Sequence, residues 1–255
     1  MTKKALSPQG IQGTAERPSK VEPIVRAEIQ NPESSPALLA QGERVYTKHC
    51  MRCHGDQGDG TGELSSSLNP QPTDFTAGVF KFRSTPTGQL PTQDDLFRTI
   101  SVGVAGTSMS DYGDLSEPDR RAVVEYVRSF SPRFREESAG EPILVPPSRS
   151  VTPDAAQRGR KLYAQMYCQA CHGEDARGDG PLAQSLSDTK GRSLQPADLT
   201  KTRLKSGKGP HAIYRALMTG LDGTPMPSYG DSLTQEEAWD LALYVASLSQ
   251  SGEGS

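Results

Sequence analysis

The chain has 255 residues, a length that suggests one large domain or two small ones, and we expect two. Hydrophobic residues make up 33% of it, while 25 glycines and 20 prolines favour loops, so the apolar core that the chain alone can build is thin. No run of about eighteen apolar residues exists, which excludes a transmembrane span in this sequence. The net charge is −3 and no long basic block occurs, so we expect no nucleic acid partner.

The chain opens on Met1-Thr-Lys-Lys, like a secretory signal, but the apolar region that follows in such a signal does not form. No leader is therefore visible. Residues 1–34 are polar, proline-rich and aperiodic, which predicts a disordered or loosely held tail. Ser35 and Pro36 then predict the N-cap and first residue of a helix that reaches about Cys50.

All four cysteines of the chain lie in two C-x-x-C-H motifs, the pattern for covalent attachment of a c-type haem. Two thiols three residues apart on a helix share one face, so both can form thioethers to the vinyl groups on one porphyrin edge. The histidine that follows can ligate the iron while its other ring nitrogen donates to a backbone carbonyl. The two copies are Cys50-Met51-Arg52-Cys53-His54 and Cys168-Gln169-Ala170-Cys171-His172.

Two other interpretations of the thiols stay open, disulfides or a zinc site that uses Cys50, Cys53, Cys168 and Cys171. Either would leave the adjacent histidines without a role, and neither would explain why the sequence repeats downstream of the motifs.

The chain is a tandem duplication with an offset of about 117 residues. We align the Gly-Asp-Gly that begins at Gly58 with the one that begins at Gly178, which requires a two-residue insertion. The other matched segments are Gly42–Tyr46 with Gly159–Tyr163, Pro72–Phe75 with Pro196–Leu199, Leu96–Gly103 with Ile213–Gly220, and Gly106–Gly113 with Gly223–Gly230.

Two of the six methionines occupy equivalent places in the repeat, Met109 and Met226. Each lies about 55 residues after the histidine of its motif, in a Gly-Thr-x-Met-x-x-Tyr-Gly loop where a thioether has no evident packing role. We predict them as axial ligands, so that the metal ligands are His54 with Met109 and His172 with Met226. The alternative is that both fill gaps or lie on the surface.

The remaining helix signals also come in pairs, and no convincing strand pattern lies between them. Further helices are predicted to start at Thr152, near Thr92 and Pro210, and at Ser116 and Thr234. Each half is then a small bundle with long loops that needs the apolar surface of a haem to complete its core. The predicted domains are 35–131 and 151–249, joined by a proline-rich linker at 132–150, with a tail at 250–255.

With both motifs in place, residues 36–249 resemble the two-domain di-haem class I cytochromes c. The resemblance implies an all-α fold of two tandem cytochrome c-like helical domains, each around one covalently bound haem. It implies that the terminal helices of each half cross at a glycine and aromatic contact, where Gly42 and Tyr46 meet the Tyr126 helix and Gly159 and Tyr163 meet the Tyr244 helix. It also implies that Pro72 and Pro196 supply the carbonyls that accept from the haem-ligating histidines. The loop that contains Lys81-Phe-Arg83, with Lys205 in the second half, is longer than in the most compact members.

Histidine and methionine on both faces of the iron leave no place for a substrate, and the soft thioether favours Fe(II). We therefore expect a di-haem c-type cytochrome, not an enzyme, that carries single electrons between redox protein partners in a respiratory or dehydrogenase chain. The alternative is a di-haem oxidoreductase, peroxidase-like or thiosulfate-oxidising, with one open or switchable haem. His49 and His211 are the two histidines left for such a switch.

A third hypothesis makes the chain a subunit of a larger membrane complex, to which the polar tail would tether it. In each case haem attachment chemistry implies a periplasmic location, or another extracytoplasmic side of a membrane, with a leader or anchor not present in this sequence.

Overall fold

The fold is that of a computed structural model, which describes residues 34–147, 150 and 152–249. The predicted tails at 1–34 and 250–255 lie outside the described residues, apart from residue 34.

The first half of the described chain is helical, with long connections that carry short turns. Its elements in order are α1 (Pro36–His49), α2 (Met51–His54), a 3-10 turn (Ser65–Ser67), α3 (Gln93–Val102), α4 (Glu117–Ser129) and α5 (Arg133–Glu136).

The second half repeats this order without a counterpart of α5 and adds one small hairpin. Its elements are α6 (Pro153–Gln165), α7 (Gln169–His172), a 3-10 turn (Ala183–Ser185), β1 (Arg203–Leu204), β2 (Gly207–Lys208), α8 (Gly209–Thr219) and α9 (Gln235–Leu248). The predicted all-α fold of two tandem cytochrome c-like domains is confirmed, apart from this hairpin.

The hairpin was not predicted because its strands are only two residues long, too short to carry an alternating pattern. Strands β1 and β2 pair antiparallel, with Leu204 opposite Gly207. Lys205 and Ser206 therefore form the hairpin turn.

Five of the six predicted helix starts are confirmed by capping hydrogen bonds. The helix predicted to start near Pro210 begins at Gly209, and its N-cap residue Lys208 makes no side-chain capping bond. The side-chain oxygens of five residues accept backbone N–H groups of the first turn, namely Ser35, Thr92, Ser116, Thr152 and Thr234. Helix α6 ends at Gln165, earlier than the expected Cys168. The reason is Tyr167, whose φ of 56° is left-handed and turns the chain out of the helix.

The terminal helices of each half cross at a glycine, as the resemblance implies. A Cβ on Gly42 of α1 would lie 2.2 Å from the carbonyl oxygen of Ala122 in α4, and one on Gly159 of α6 would lie 2.1 Å from that of Asp240 in α9. No side chain fits at either place. Aromatic pairs flank both crossings, with ring centroids 5.3 Å apart in Tyr46 and Tyr126, and 5.7 Å apart in Tyr163 and Tyr244.

Each half builds its own apolar core, and the segment between them lies against both. The first core includes Tyr46 and Val123, and the second includes Trp239. The N–H of Ile143 donates to Ser84 O of the first half at 2.8 Å, and Val145 packs against the second core. The run Ile143-Leu144-Val145 is more apolar than a free tether, in agreement with this packing.

Hydrogen bonds correct one part of the sequence alignment. The N–H of Gly60 donates to His54 O, and the N–H of Gly178 donates to His172 O in the same way. Gly60-Thr61-Gly62 therefore corresponds to Gly178-Asp179-Gly180 at the same offset of 118 as the cysteines, and the predicted two-residue insertion is wrong. The two halves differ in length further downstream.

Candidate haem sites

The histidine of each motif is fixed through one ring nitrogen. His54 Nδ1 lies 3.0 Å from Thr73 O, and His172 Nδ1 lies 3.0 Å from Ala197 O. Because a carbonyl oxygen only accepts, Nδ1 carries the proton in both rings, which leaves the lone pair on Nε2 free for a metal. Burial lowers the pKa of both imidazoles, so both are neutral at pH 7.

The resemblance implies that Pro72 and Pro196 supply the carbonyls that hold the histidines, and this expectation is wrong. The carbonyls that hold them belong to the next residue in each half, Thr73 and Ala197. The oxygen of Pro72 instead faces Gly60, 2.8 Å from where a Cβ would be, and that of Pro196 faces Gly178 at 2.5 Å. Both prolines line the cavity described below. Successive carbonyls of an extended chain point to opposite sides, so the acceptor shifts by one residue.

The loop after each motif is held by a buried tyrosine of the preceding long helix. Tyr46 O–H donates to Gly55 O at 2.7 Å, and Tyr163 O–H donates to Gly173 O at 2.8 Å. Burial raises the pKa of both hydroxyls, so they stay protonated donors. These two bonds tie the long helices to the attachment turns.

The four thiols are free and half-buried, and all four line the cavity. No group of three or more histidine, cysteine, aspartate or glutamate side chains in the described ranges is placed to hold a metal ion, which counts against a four-cysteine zinc site. Burial raises the pKa of the Cys50 thiol to about 12 and that of Cys168 to about 11.

Two equivalent loops present the methionines. Met109 N–H donates to Thr107 Oγ1 at 3.1 Å, and Met226 N–H donates to Thr224 Oγ1 at 3.2 Å. Their carbonyls accept from the backbone at the start of each loop, and Gly103 and Gly220 open the loops at a φ near 64°. Both methionines are half-buried and line the cavity.

The histidines, thiols and methionines of both halves surround one cavity of about 390 Å³ that is continuous between the two halves. Its walls are mostly apolar, from Phe80, Leu96 and Val127 on one side to Leu217 and Leu241 on the other. The motif histidines, the four thiols and both loop methionines line the same space. An apolar slot with a neutral imidazole, a thioether and two thiols in each half is the donor set that a covalently bound haem requires.

The two sites differ beside the histidine. Phe75 stacks on the His54 ring with centroids 4.4 Å apart, whereas Leu199 takes the equivalent position in the second half. Sequence reasoning gave no role to Phe75. It also could not find Thr73 or Ala197, because a backbone carbonyl has no side-chain signal.

The two remaining histidines lie in different surroundings. His49 borders the cavity, with its ring centroid 5.9 Å from that of Tyr112. His211 is exposed on α8 with its edge against Trp239, and it does not line the cavity.

The fold and the paired sites define a c-type cytochrome with one haem site in each half. The chain belongs to the cytochrome CBB3 family, described as cytochrome c oxidase, cbb3-type, subunit III, which matches residues 37–127 and 154–245. Membership of this family implies covalently bound haem c.

Curated relatives are subunits of oxidases. The chain is 26% identical to the cbb3-type cytochrome c oxidase subunit FixP of Azorhizobium caulinodans over 86% of its own length and 62% of the relative's. It is also 26% identical to the cbb3-type cytochrome c oxidase subunit CcoP of Rubrivivax gelatinosus, over 84% and 56%. The chain thus spans about three fifths of the length of these relatives.

A solved structure has a higher sequence identity to the chain. A chain of the reducing HAO-like protein complex Kustc0457/Kustc0458 of Kuenenia stuttgartiensis is 41% identical, with a TM-score of 0.80. The match covers 82% of the present chain and 95% of that one. Among the described residues, no helix combines the length and apolarity that crossing a membrane requires.

Proposed function

We propose that this chain is a di-haem electron-transfer subunit that docks on a larger redox enzyme complex on the periplasmic side of a membrane, and that it catalyses no reaction of its own. Haem supplies reversible one-electron chemistry. In this proposal His54 and Met109 hold one iron, and His172 and Met226 hold the other. The continuous cavity that both donor sets line is the single observation that carries the proposal.

The partner that the observations favour is an HAO-like enzyme. The solved relative from an HAO-like complex shares 41% identity over nearly its whole length, against 26% and about three fifths of the length for the oxidase subunits. An oxidase is the second candidate, supported by the family to which the chain belongs.

The second half carries the surface suited to docking. Tyr167 is 75% exposed and Leu182 is 49% exposed, and both adjoin the second motif, since Leu182 N–H donates to Ala170 O at 2.9 Å. The equivalent residues of the first half, His49 and Leu64, are half-buried. Exposed apolar side chains beside a redox site fit a small, transient interface.

Visible spectroscopy of the purified holo-protein, with and without CO, tests the absence of catalysis at iron. If both irons have histidine and methionine ligands, the oxidised protein has the red methionine-to-iron band and CO leaves the reduced spectrum unchanged. CO binding at one haem would mean an open axial position, and the di-haem oxidoreductase alternative would take its place.

The partner is tested with the protein isolated from its native cells. The HAO-like assignment predicts comigration with an HAO-like protein in size-exclusion chromatography and rapid electron exchange between the two purified proteins. Comigration with oxidase subunits, with exchange only to them, would overturn it in favour of the second candidate.

A further inference from the structure

Two lysines bring positive charge to the cavity between the halves. Lys81 from the first half and Lys205 from the second half line it, and no aspartate, glutamate or arginine of the described chain does so. Both side chains are half-buried. Within the described ranges, no carboxylate lies within ion-pair distance of either amine. A partly desolvated ammonium group without an anion is unfavourable, so this arrangement calls for one.

The carboxylate that acts on the charge of Lys81 is that of Asp188, and it already has hydrogen-bond partners of its own. Asp188 accepts from Arg192 Nε at 2.6 Å and from the backbone N–H groups of Lys190 and Arg192 at 2.9 Å. Burial lowers the pKa of Lys81, the positive charges of Arg192 and Lys205 lower it further, and Asp188 only partly compensates. The protein itself therefore leaves a surplus of positive charge here.

The two lysines are equivalent positions of the repeat. Lys81 lies six residues after Phe75, and Lys205 lies six residues after Leu199, its counterpart. Lys205 is placed by the hairpin turn between β1 and β2, and Lys81 directly follows the buried Phe80. Both line the same cavity, so the duplication brings the same position of both halves to one place.

We propose that Lys81 and Lys205 form a shared anion site between the halves that binds the propionate carboxylates of both haems. Thioethers hold the vinyl edge of a porphyrin, so its propionate edge lies away from the cysteines and needs cationic partners elsewhere. The site rests on the assignment of two haems but not on the partner proposed above. Because each ammonium group stabilises the additional electron of a reduced haem, the shared site raises both reduction potentials together.

The test uses Lys81→Gln, Lys205→Gln and the double variant of the holo-protein, with Lys161→Gln as a control. Lys161 is exposed on α6 and does not line the cavity, so its variant removes the same charge elsewhere. Haem content is measured first, followed by potentiometric titration of both haems at low and at high ionic strength. Resonance Raman spectra report the propionate bending bands, and Lys81→Arg and Lys205→Arg restore the charge.

Each single Gln variant is expected to lower both potentials and shift the propionate bands. The expected change is about tenfold in the ratio of reduced to oxidised haem at a fixed potential, which is about 59 mV for one electron. It persists at high salt because buried charges are poorly screened, whereas the effect of Lys161→Gln fades. The Arg variants recover the potentials.

A shift confined to one haem, or one no larger than that of Lys161→Gln, would overturn the shared site. If a Gln variant fails to fold, the Arg variants decide. A guanidinium group hydrogen-bonds a carboxylate differently from an ammonium group, so the propionate bands of both Arg variants should shift although their potentials recover, and unchanged bands in both would also overturn the site. A wild-type protein with fewer than two haems would refute the cofactor assignment instead of the lysine site. The comigration experiment tests the partner, and its result does not depend on the lysine variants.

Discussion

Arg83 of the first half and Asp222 of the second half form a buried ion pair, with Nη2 2.8 Å from Oδ1. The Arg83 side chain is fully buried, and its guanidinium also donates to Thr219 O at 2.7 Å. Two neighbours in the same loop bind the same residues, because Thr87 Oγ1 donates to Thr219 O and Gly88 N–H donates to Asp222 Oδ2. One loop of the first half therefore holds the segment that leads to the Met226 loop.

The first prediction is that Arg83→Gln destabilises the protein by about 3–5 kcal/mol, because it leaves the carboxylate of Asp222 without its buried partner. The measurement is the unfolding of the holo-protein in guanidinium, followed by far-ultraviolet circular dichroism. Arg121→Gln is the control, since Arg121 pairs with Glu117 on the surface of α4 and its loss costs only about 0.3–0.5 kcal/mol. Equal effects of the two variants would refute a role of Arg83 in joining the halves.

A second contact between the halves predicts acid sensitivity. Lys190 pairs with Asp74, whose side chain is 14% exposed. Burial alone would raise the pKa of Asp74, but the hydrogen bonds from Lys190 and Thr76 outweigh it and the pKa is lowered. The folded pKa thus lies below the unfolded value of about 3.9, so the contribution to stability is full above that value.

We therefore expect this contribution to disappear as the pH falls from about 4 through the lowered pKa. Unfolding free energies measured from mildly acidic to strongly acidic pH should show a smaller loss for Asp74→Asn than for the wild type. Asp94→Asn serves as the control, because its side chain is 86% exposed. If Asp74→Asn and the wild type lose stability in parallel, the contact does not contribute.

The parts of the fold that were predictable are those whose side chains carry the signal. Ser35 and Thr234 could be predicted as helix caps because their side chains accept backbone N–H groups of the adjacent first turn. Gly42 could be predicted as a crossing point because only glycine allows two helices to approach so closely. The contacts between the halves could not be predicted, because the partners of Arg83 in the second half, Thr219 and Asp222, lie more than a hundred residues away along the chain. The same holds for Lys205, which lies in a hairpin too short to leave a pattern.

The third prediction concerns the methionines. Met109→Leu and Met226→Leu should each open one axial position, because leucine fills the space without a sulfur donor. The reduced variant is then expected to bind CO at one haem, with the red band of the oxidised protein about halved. Met218→Leu is the control, since Met218 packs against the second core and has no counterpart in the repeat. CO binding to the control, or to neither variant, would contradict the ligand assignment.

The last prediction concerns Tyr167, whose backbone is strained and whose side chain belongs to the proposed docking surface. Its left-handed φ of 56° costs an L-residue about 1–2 kcal/mol, and a glycine at this helix end would avoid that cost. Packing does not explain the tyrosine, because three quarters of the residue is exposed. Tyr167→Gly should therefore raise the free energy of unfolding by up to about 1 kcal/mol, after the greater entropy loss of glycine is deducted.

The same variant should slow electron exchange with the partner enzyme, because it removes the largest exposed apolar side chain beside the second site. Both reduction potentials are measured alongside, since Tyr167 also lines the cavity. Ala176→Gly is the matched control. Ala176 also has a left-handed φ, 58°, but it is fully buried, so its variant changes strain without changing the surface. Stopped-flow reduction by the isolated partner distinguishes the two. If both variants exchange electrons at the wild-type rate, Tyr167 does not form part of the docking surface, and the partner must bind elsewhere.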